Sequence, residues 1–218
     1  MGAKLTPKVI LEGTRLTHKT DLALALNRHP RLVGTRKYEY PSPLVSAEWC
    51  GFSDVPWGRG LINYAPEEEA RAMETYATWA RLFELLPYYS WIVDRFHLST
   101  RAEQRRLHGI DPDFGWLEAR LRPLGFRVVL CTRQDDSFAA AREERLKISG
   151  KPEQYDHLDV FIREQALLRE LASTSVLPVL DLDVSDDDVP SAADRVADWL
   201  EVTGGLRAPW GVPELDAR

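Results

Sequence analysis

Short apolar runs recur along the chain without alternation, and stretches with helical spacing separate them. Val9-Ile10-Leu11, between Lys8 and Glu12, is too short for a helix and reads as a buried strand. Leu22, Leu24, Ala25 and Leu26 predict the first helix, over Lys19 to Asn27. Arg31 to Thr35 reads as a second short strand. Glu67 to Leu86 predicts a helix: acidic residues open it, which suits the dipole, and Met73, Tyr76, Ala77, Ala80 and Phe83 form one apolar stripe. Trp91-Ile92-Val93 is the next strand and ends at Asp94. Ser99 reads as the N-cap of an arginine-rich helix, and Pro112 to Leu121 holds another helix. Phe126 to Cys131 is a strand interrupted only by Arg127. Helices are expected over Ser137 to Ile148, stopped by Ser149-Gly150-Lys151-Pro152, and over Gln154 to Ala172. Val176 to Leu182 is the last strand and Ala192 to Leu200 the last helix.

This alternation predicts an α/β fold: a parallel sheet of about five strands, helices on both faces, and Val9 to Leu11 near the middle. Residues 36–66 break the pattern. Pro41, Pro43, Pro56 and Pro66 exclude a long helix, while Tyr38, Tyr40, Trp49, Phe52, Trp57 and Tyr64 make the stretch aromatic. It reads either as a satellite core or as the wall of a ligand pocket.

Composition narrows the choices. The 218 residues, 44% of them hydrophobic, suffice for one core and one domain over 1–218. A net charge of −6 argues against a general nucleic-acid binder, although local basic clusters can still hold phosphates. No apolar run is long enough to span a membrane, and Met1 to Lys8 lacks the apolar core of a signal peptide. Cys50 and Cys131 form no CxxC pair, so no structural zinc is expected; they could pair, but the rest reads as intracellular and the expected location is cytoplasmic.

The sharpest chemical signal is Glu12-Gly13-Thr14-Arg15-Leu16-Thr17-His18-Lys19-Thr20, between a predicted strand and a predicted helix. Backbone N–H groups there can wrap a polyphosphate, Lys19 can reach its β- and γ-phosphates, and the Thr20 hydroxyl can ligate Mg²⁺. The pattern G-x-x-x-x-G-K-[ST] has His18 where it wants glycine, so an ordinary strand-turn-helix with a solvated Lys19 is the alternative. Asp94-Arg95 follows a strand, at the edge where open α/β sheets bind ligands. Asp94 could hold Mg²⁺ or accept a proton, and Arg95 could grip a phosphate or carboxylate; a surface ion pair is the bland reading. Arg133, Arg142 and Arg145 surround a helix whose cations could close over phosphates, though interleaved Glu143 and Glu144 also fit an exposed helix.

In order and spacing these elements resemble thymidylate kinase and the related deoxynucleoside kinases, over roughly residues 8 to 203. Thr35-Arg36 and Glu39-Tyr40-Pro41 look like the Thr-Arg or Glu-Pro segment of those families, and Asp94-Arg95-Phe96-His97 like their Asp-Arg-aromatic motif. Leu130 to Arg145 looks like their strand and lid. The resemblance implies a P-loop NTPase fold, with 36–66 an acceptor-binding insert, 133–152 a lid and 204–218 a tail. It implies Mg²⁺ with ATP or GTP on Gly13 to Thr20 and Arg133, with Thr20 and Asp94 at the metal. Lys19, Asp94, Arg142, Arg145 and Glu39 would be catalytic, and Arg36, Glu39, Trp49, Trp57, Tyr64 and Arg95 would bind the acceptor. Expected partners are a small-molecule acceptor and, at most, a second copy of the chain, with no nucleic-acid polymer and no membrane. His18, Leu16 in place of a loop glycine, and Arg15 where thymidylate kinases commonly have aspartate depart from the pattern. A domain that binds nucleotide without turnover, or serves as an interaction module, is the alternative function.

Overall fold

The computed structural model describes residues 5–34, 44–53 and 58–207. Strands β1 (Lys8–Glu12), β2 (Leu44–Ser46), β3 (Trp91–Asp94), β4 (Arg127–Thr132) and β5 (Val179–Asp183) form one sheet in the order β2-β3-β1-β4-β5. Every neighbouring pair is parallel, with Ile10 opposite Val93 on one side of β1 and Val128 on the other. All five residues of β1 are buried, because a central parallel strand has helices above and below it.

Side chains alternate across each strand, so one continuous apolar run feeds two cores. Ile10, Val93, Val128 and Leu130 face Tyr76 and Phe83 of α3 (Glu69–Leu85), Leu98 of α4 (His97–His108), Leu117 of α5 (Gly115–Leu121) and Leu168 of α7 (Leu158–Ser173). Val9, Leu11, Val129 and Cys131 face Leu22 and Leu26 of α1 (Lys19–Arg28) and Val196 and Leu200 of α8 (Val189–Val202). Each such fully buried Leu, Ile or Val contributes roughly 1.5–3 kcal/mol. A third cluster joins Phe138 of α6 (Ser137–Leu146) to Tyr155 and Phe161, with Leu16 packed against it.

Four expectations need correction. The segment from Arg31 is helical, α2 (Pro30–Val33), not a strand. Pro30 presets its first turn, the His29 ring accepts the Arg31 N–H at 3.3 Å, and Gly34 ends it at φ 64°. The second strand is β2 instead, a three-residue edge strand inside the aromatic stretch and too short to show a period. Ser99 is no N-cap, because α4 begins at His97 and Ser99 lies buried in its first turn. The helix expected from Gln154 divides into a 3-10 turn over Pro152–Tyr155 and α7. Among the described residues no helix is long and apolar enough to cross a membrane.

Candidate active site at the carboxyl edge of the sheet

The loop after β1 takes its path from three positive φ angles: 146° at Gly13, 66° at Leu16 and 51° at His18. Gly13 is obligatory, because a Cβ there would sit 2.5 Å from the Cys131 carbonyl oxygen. Leu16 and His18 hold left-handed conformations that disfavour side chains by roughly 1–2 kcal/mol, and each side chain has an anchor. Leu16 packs on the Phe138–Tyr155–Phe161 cluster. The His18 ring turns to Asp187 (Nε2···Oδ1 2.8 Å) and Asp21 (Nδ1···Oδ2 3.2 Å). The glycine-like turn therefore survives without glycine. Apart from the turn at Arg15–Leu16, which directs the Thr17 N–H toward the Thr14 carbonyl, no backbone N–H from Thr14 to Thr20 has a protein acceptor among the described residues. A row of free donors at the start of a helix is a ready anion cradle.

Lys19 and Thr17 close the loop from inside. Lys19 Nζ donates to the Thr14 carbonyl at 2.6 Å, and so does Thr17 Oγ1 at 2.7 Å. Burial, and then the Arg95 charge, push the Lys19 pKa down against the pull of Asp94 and Glu48. Thr20 is exposed, and its hydroxyl donates to Asp94 Oδ2 at 3.1 Å. The other Asp94 oxygen is buried with no protein partner among the described residues. Burial raises the Asp94 pKa despite Lys19 and the Thr20 hydroxyl. Thr20 and Asp94 together suit Mg²⁺, which takes one or two protein oxygens and fills its remaining positions with phosphate and water. No cluster of three His, Cys, Asp or Glu side chains able to cage a metal occurs among the described residues.

Arg95 stands on the other side of Asp94. Its own φ is 56°, and its N–H donates to the Leu11 carbonyl at 2.9 Å, which ties it to β1. The guanidinium donates to Ser99 Oγ (3.1 Å) and Glu164 Oε1 (2.9 Å), and Glu48 lies 3.8 Å away. Glu164 also accepts the Thr14 hydroxyl at 2.5 Å. Glu12 is wholly buried and accepts the N–H groups of Phe96, Leu98 and Ser99, so it caps α4 from the loop. This explains why the loop opens with a glutamate: α4 has no cap of its own.

Glu48 and Glu164 are site residues that the sequence reading missed. Glu48 follows β2 and faces Arg95, Lys19 and Arg15; burial pushes its pKa up, but these cations hold it below the ordinary value. Glu164 had a faint signal. Its neighbour Gln165 interrupts the apolar stripe Phe161–Leu168 of α7, where a buried amide needs a partner. Gln165 satisfies both backbone groups of Arg133 at 2.8 Å.

The remaining predicted residues lie as follows. Arg15 is 3.9 Å from Glu48. The Arg133 side chain is fully buried and held by Ser137, the Val184 carbonyl and Asp187, so among the described residues it reaches the loop through Asp187 and His18. That corrects its expected place on the nucleotide. Arg142 donates to the Tyr155 carbonyl and to Glu143 and Asp156, while Arg145 donates to the Tyr155 hydroxyl. Among the described residues no bond brings either arginine to the loop. Tyr64 is core, 2% exposed, which corrects its expected place in a pocket wall; large rings in loops pack down when a helix lies over them, and Gln104 of α4 binds its carbonyl. Trp49 is open to solvent. Arg36, Glu39 and Trp57 lie outside the described residues.

A parallel sheet with its first strand central, followed by an anion-cradling loop and a helix, defines the class of P-loop nucleotide-binding folds. Within that class the chain has the fold of the P-loop kinases. It is similar to the YorR protein of Bacillus subtilis, solved in complex with phosphorylated GDP: TM-score 0.61 and 16% identity, over 90% of this chain and 97% of that one. It is also similar to thymidylate kinase from Candida albicans, with TM-score 0.50 and 16% identity, over 94% of this chain and 96% of that one. No family model matches the sequence, and no curated protein is significantly similar to it.

Proposed function

We propose that the protein is a Mg²⁺-dependent phosphotransferase that moves the terminal phosphoryl group of ATP or GTP to a nucleoside, nucleotide or related small metabolite. The observation that carries this reading is the row of N–H groups from Thr14 to Thr20, most of them without a partner among the described residues, with Lys19 inside it and Thr20–Asp94 at its end. The loop binds the donor phosphates, and Lys19 leaves the Thr14 carbonyl to meet the charge between β- and γ-phosphates. Thr20 and Asp94 hold Mg²⁺, which neutralises phosphate charge when bound. Phosphoryl transfer asks mainly for positioning and charge stabilisation, which are the roles this reading gives to these residues.

Arg95 orients the acceptor. With Asp94 at the metal, Glu48 beside Arg95 and Lys19 is a carboxylate that can take a proton from a hydroxyl acceptor, the role the sequence reading gave to Asp94 or Glu39. Arg142 and Arg145 serve as lid cations only by leaving Tyr155 and Asp156. Both cysteines are free thiols, which supports a cytosolic setting. The B. subtilis neighbour was solved with phosphorylated GDP, so guanine nucleotides join ATP as first donors to test.

A thermal-shift screen with Mg·ATP, Mg·GTP and a panel of nucleosides and nucleotides tests the reading. A donor at 100 times its dissociation constant stabilises the fold by about 2.7 kcal/mol. Absence of any shift with either donor up to millimolar concentration contradicts it.

A further inference from the structure

Glu164 holds a peculiar position. Its carboxylate joins the phosphate-loop residue Thr14 (2.5 Å) to the acceptor-side Arg95 (2.9 Å), and both members of the ion pair are largely withdrawn from water. On the same side Glu48 faces Arg95 at 3.8 Å and Arg15 at 3.9 Å. Lys19 is committed to the donor phosphates and Asp94 to the metal in the reading above, on which this inference rests. Two cations then remain beside the acceptor, Arg15 and Arg95, and two carboxylates already face them. Among the described residues no cation on this side is left over for an acceptor's own negative charge.

We infer that Glu164 makes this site select an uncharged acceptor, a nucleoside attacking through a hydroxyl rather than a nucleoside monophosphate attacking through its phosphate. An anionic group arriving at Arg95 meets the charges of Glu164 and Glu48, and to gain the guanidinium's charge for itself it must displace the Glu164 carboxylate. It then strands a buried carboxylate with only the Thr14 hydroxyl for company, and uncompensated buried charge is strongly disfavoured. A neutral oxygen has no such requirement. Arg95 uses its Nε–H on Ser99 and one Nη2–H on Glu164, and its other N–H groups can donate to a hydroxyl or carbonyl while the pair stays intact. A hydroxyl acceptor must lose a proton, and Glu48 stands ready for it. The acceptor oxygen bonds to the γ-phosphorus as the bond from that phosphorus to the β,γ-bridging oxygen breaks. The nucleoside diphosphate leaves with that electron pair, and the hydroxyl proton passes to Glu48. The unpartnered, buried oxygen of Asp94 marks the same cleft as one built to receive a ligand.

The test is calorimetry on the full chain with Mg²⁺ and the β,γ-imido analogues of ATP and GTP. Four nucleosides (thymidine, deoxycytidine, deoxyadenosine and deoxyguanosine) and their 5′-monophosphates are then titrated in turn. At least one nucleoside should bind at least about tenfold more tightly than its monophosphate, equivalent to ~1.4 kcal/mol. Glu164→Gln keeps the shape and the Thr14 contact but removes the charge. It should shrink that ratio to within about threefold by tightening the monophosphate, a change of ratio that a merely structural role would not produce. Equal or tighter monophosphate binding by the wild type, no nucleoside binding at all, or an unchanged ratio in Glu164→Gln overturns the inference. Failure of both imido analogues to bind removes the phosphotransferase reading with it, whereas analogue binding without acceptor discrimination removes this inference alone.

Discussion

Two buried arginines flank the phosphate loop, and a carboxylate ties each of them to it. On one flank Asp187 bridges Arg133 to His18; on the other Glu164 bridges Arg95 to Thr14. Helix α7 supports both, through Gln165 on the Arg133 backbone and Glu164 on Arg95. The difference lies in what else surrounds each arginine. Arg133 has 0% side-chain exposure, with two backbone carbonyls, a serine and Asp187 as its acceptors; its Nε has no partner among the described residues but is closed off from solvent, so that flank is scaffold. Arg95 lies beside Glu48, and next to it an Asp94 oxygen has no partner among the described residues; Thr20 is exposed and Glu48 partly so, so the unfinished bonding of this flank is open to solvent. Similar parts serve to hold the loop on one side and to receive a ligand on the other.

Removing each carboxylate separates the two roles. Asp187→Ala leaves Arg133 buried without a counter-charge; Asp187 itself is 40% exposed, so water screens part of the pair and the loss of stability should be about 2 kcal/mol. It should also weaken Mg·NTP binding, because His18 loses its anchor. Glu164→Ala leaves Arg95 with Glu48 and Ser99, and should cost about half as much stability while changing NTP affinity by no more than about twofold. Urea denaturation gives the first quantity and calorimetry the second. Equal stability losses would erase the contrast.

His18→Gly sharpens the scaffold side. Glycine relieves the left-handed backbone at 51° but forfeits the bonds to Asp21 and Asp187. The two effects oppose, so Mg·NTP affinity should stay within about tenfold of wild type, or ~1.4 kcal/mol. A gain of binding in the variant where wild type shows none would mean that the natural loop is disabled.

Asp94→Asn probes the unfinished side with the smallest expected change. Burial raises the Asp94 pKa, so folding favours its protonated form. The stability this group contributes is full below its unfolded value of about 3.9 and is lost as pH rises through the raised folded value. At neutral pH the carboxylate therefore costs stability. The ligand-free variant should melt a few degrees higher than wild type at pH 7, and the gap should close toward pH 3. A lower melting temperature at pH 7 would show that Asp94 stabilises the fold instead of waiting for a ligand.

Much of the fold was legible because buried parallel strands write themselves as unbroken apolar runs. β1, β3 and β4 were found within a residue or two of their bounds. β2 was not, since an edge strand with Leu44 exposed leaves no such run, and the Pro30 helix start was mistaken for a strand. In the site, Gly13, Lys19, Thr20, Asp94 and Arg95 were nameable because they are close in sequence to strand ends. Glu48 and Glu164 were not. Their partners lie 47 and 69 positions away (Arg95 in both cases), and only the folded chain brings them together. The loop's missing glycines were legible as departures, but their remedy was not: it depends on Asp187 and on the Phe138 cluster, both distant in sequence.

In the proposed reading the loop from Gly13 to Thr20 holds a nucleoside triphosphate for transfer. The direct measurement is phosphoryl transfer from ATP and GTP by wild type and by Lys19→Ala across the nucleoside and nucleotide panel, with folding of both proteins checked by circular dichroism. Lys19 meets the charge of the transferring group, so its loss should lower turnover by on the order of 100-fold or more with the fold intact. Near-wild-type transfer by a folded Lys19→Ala protein would mean that the loop does not hold the transferring phosphate.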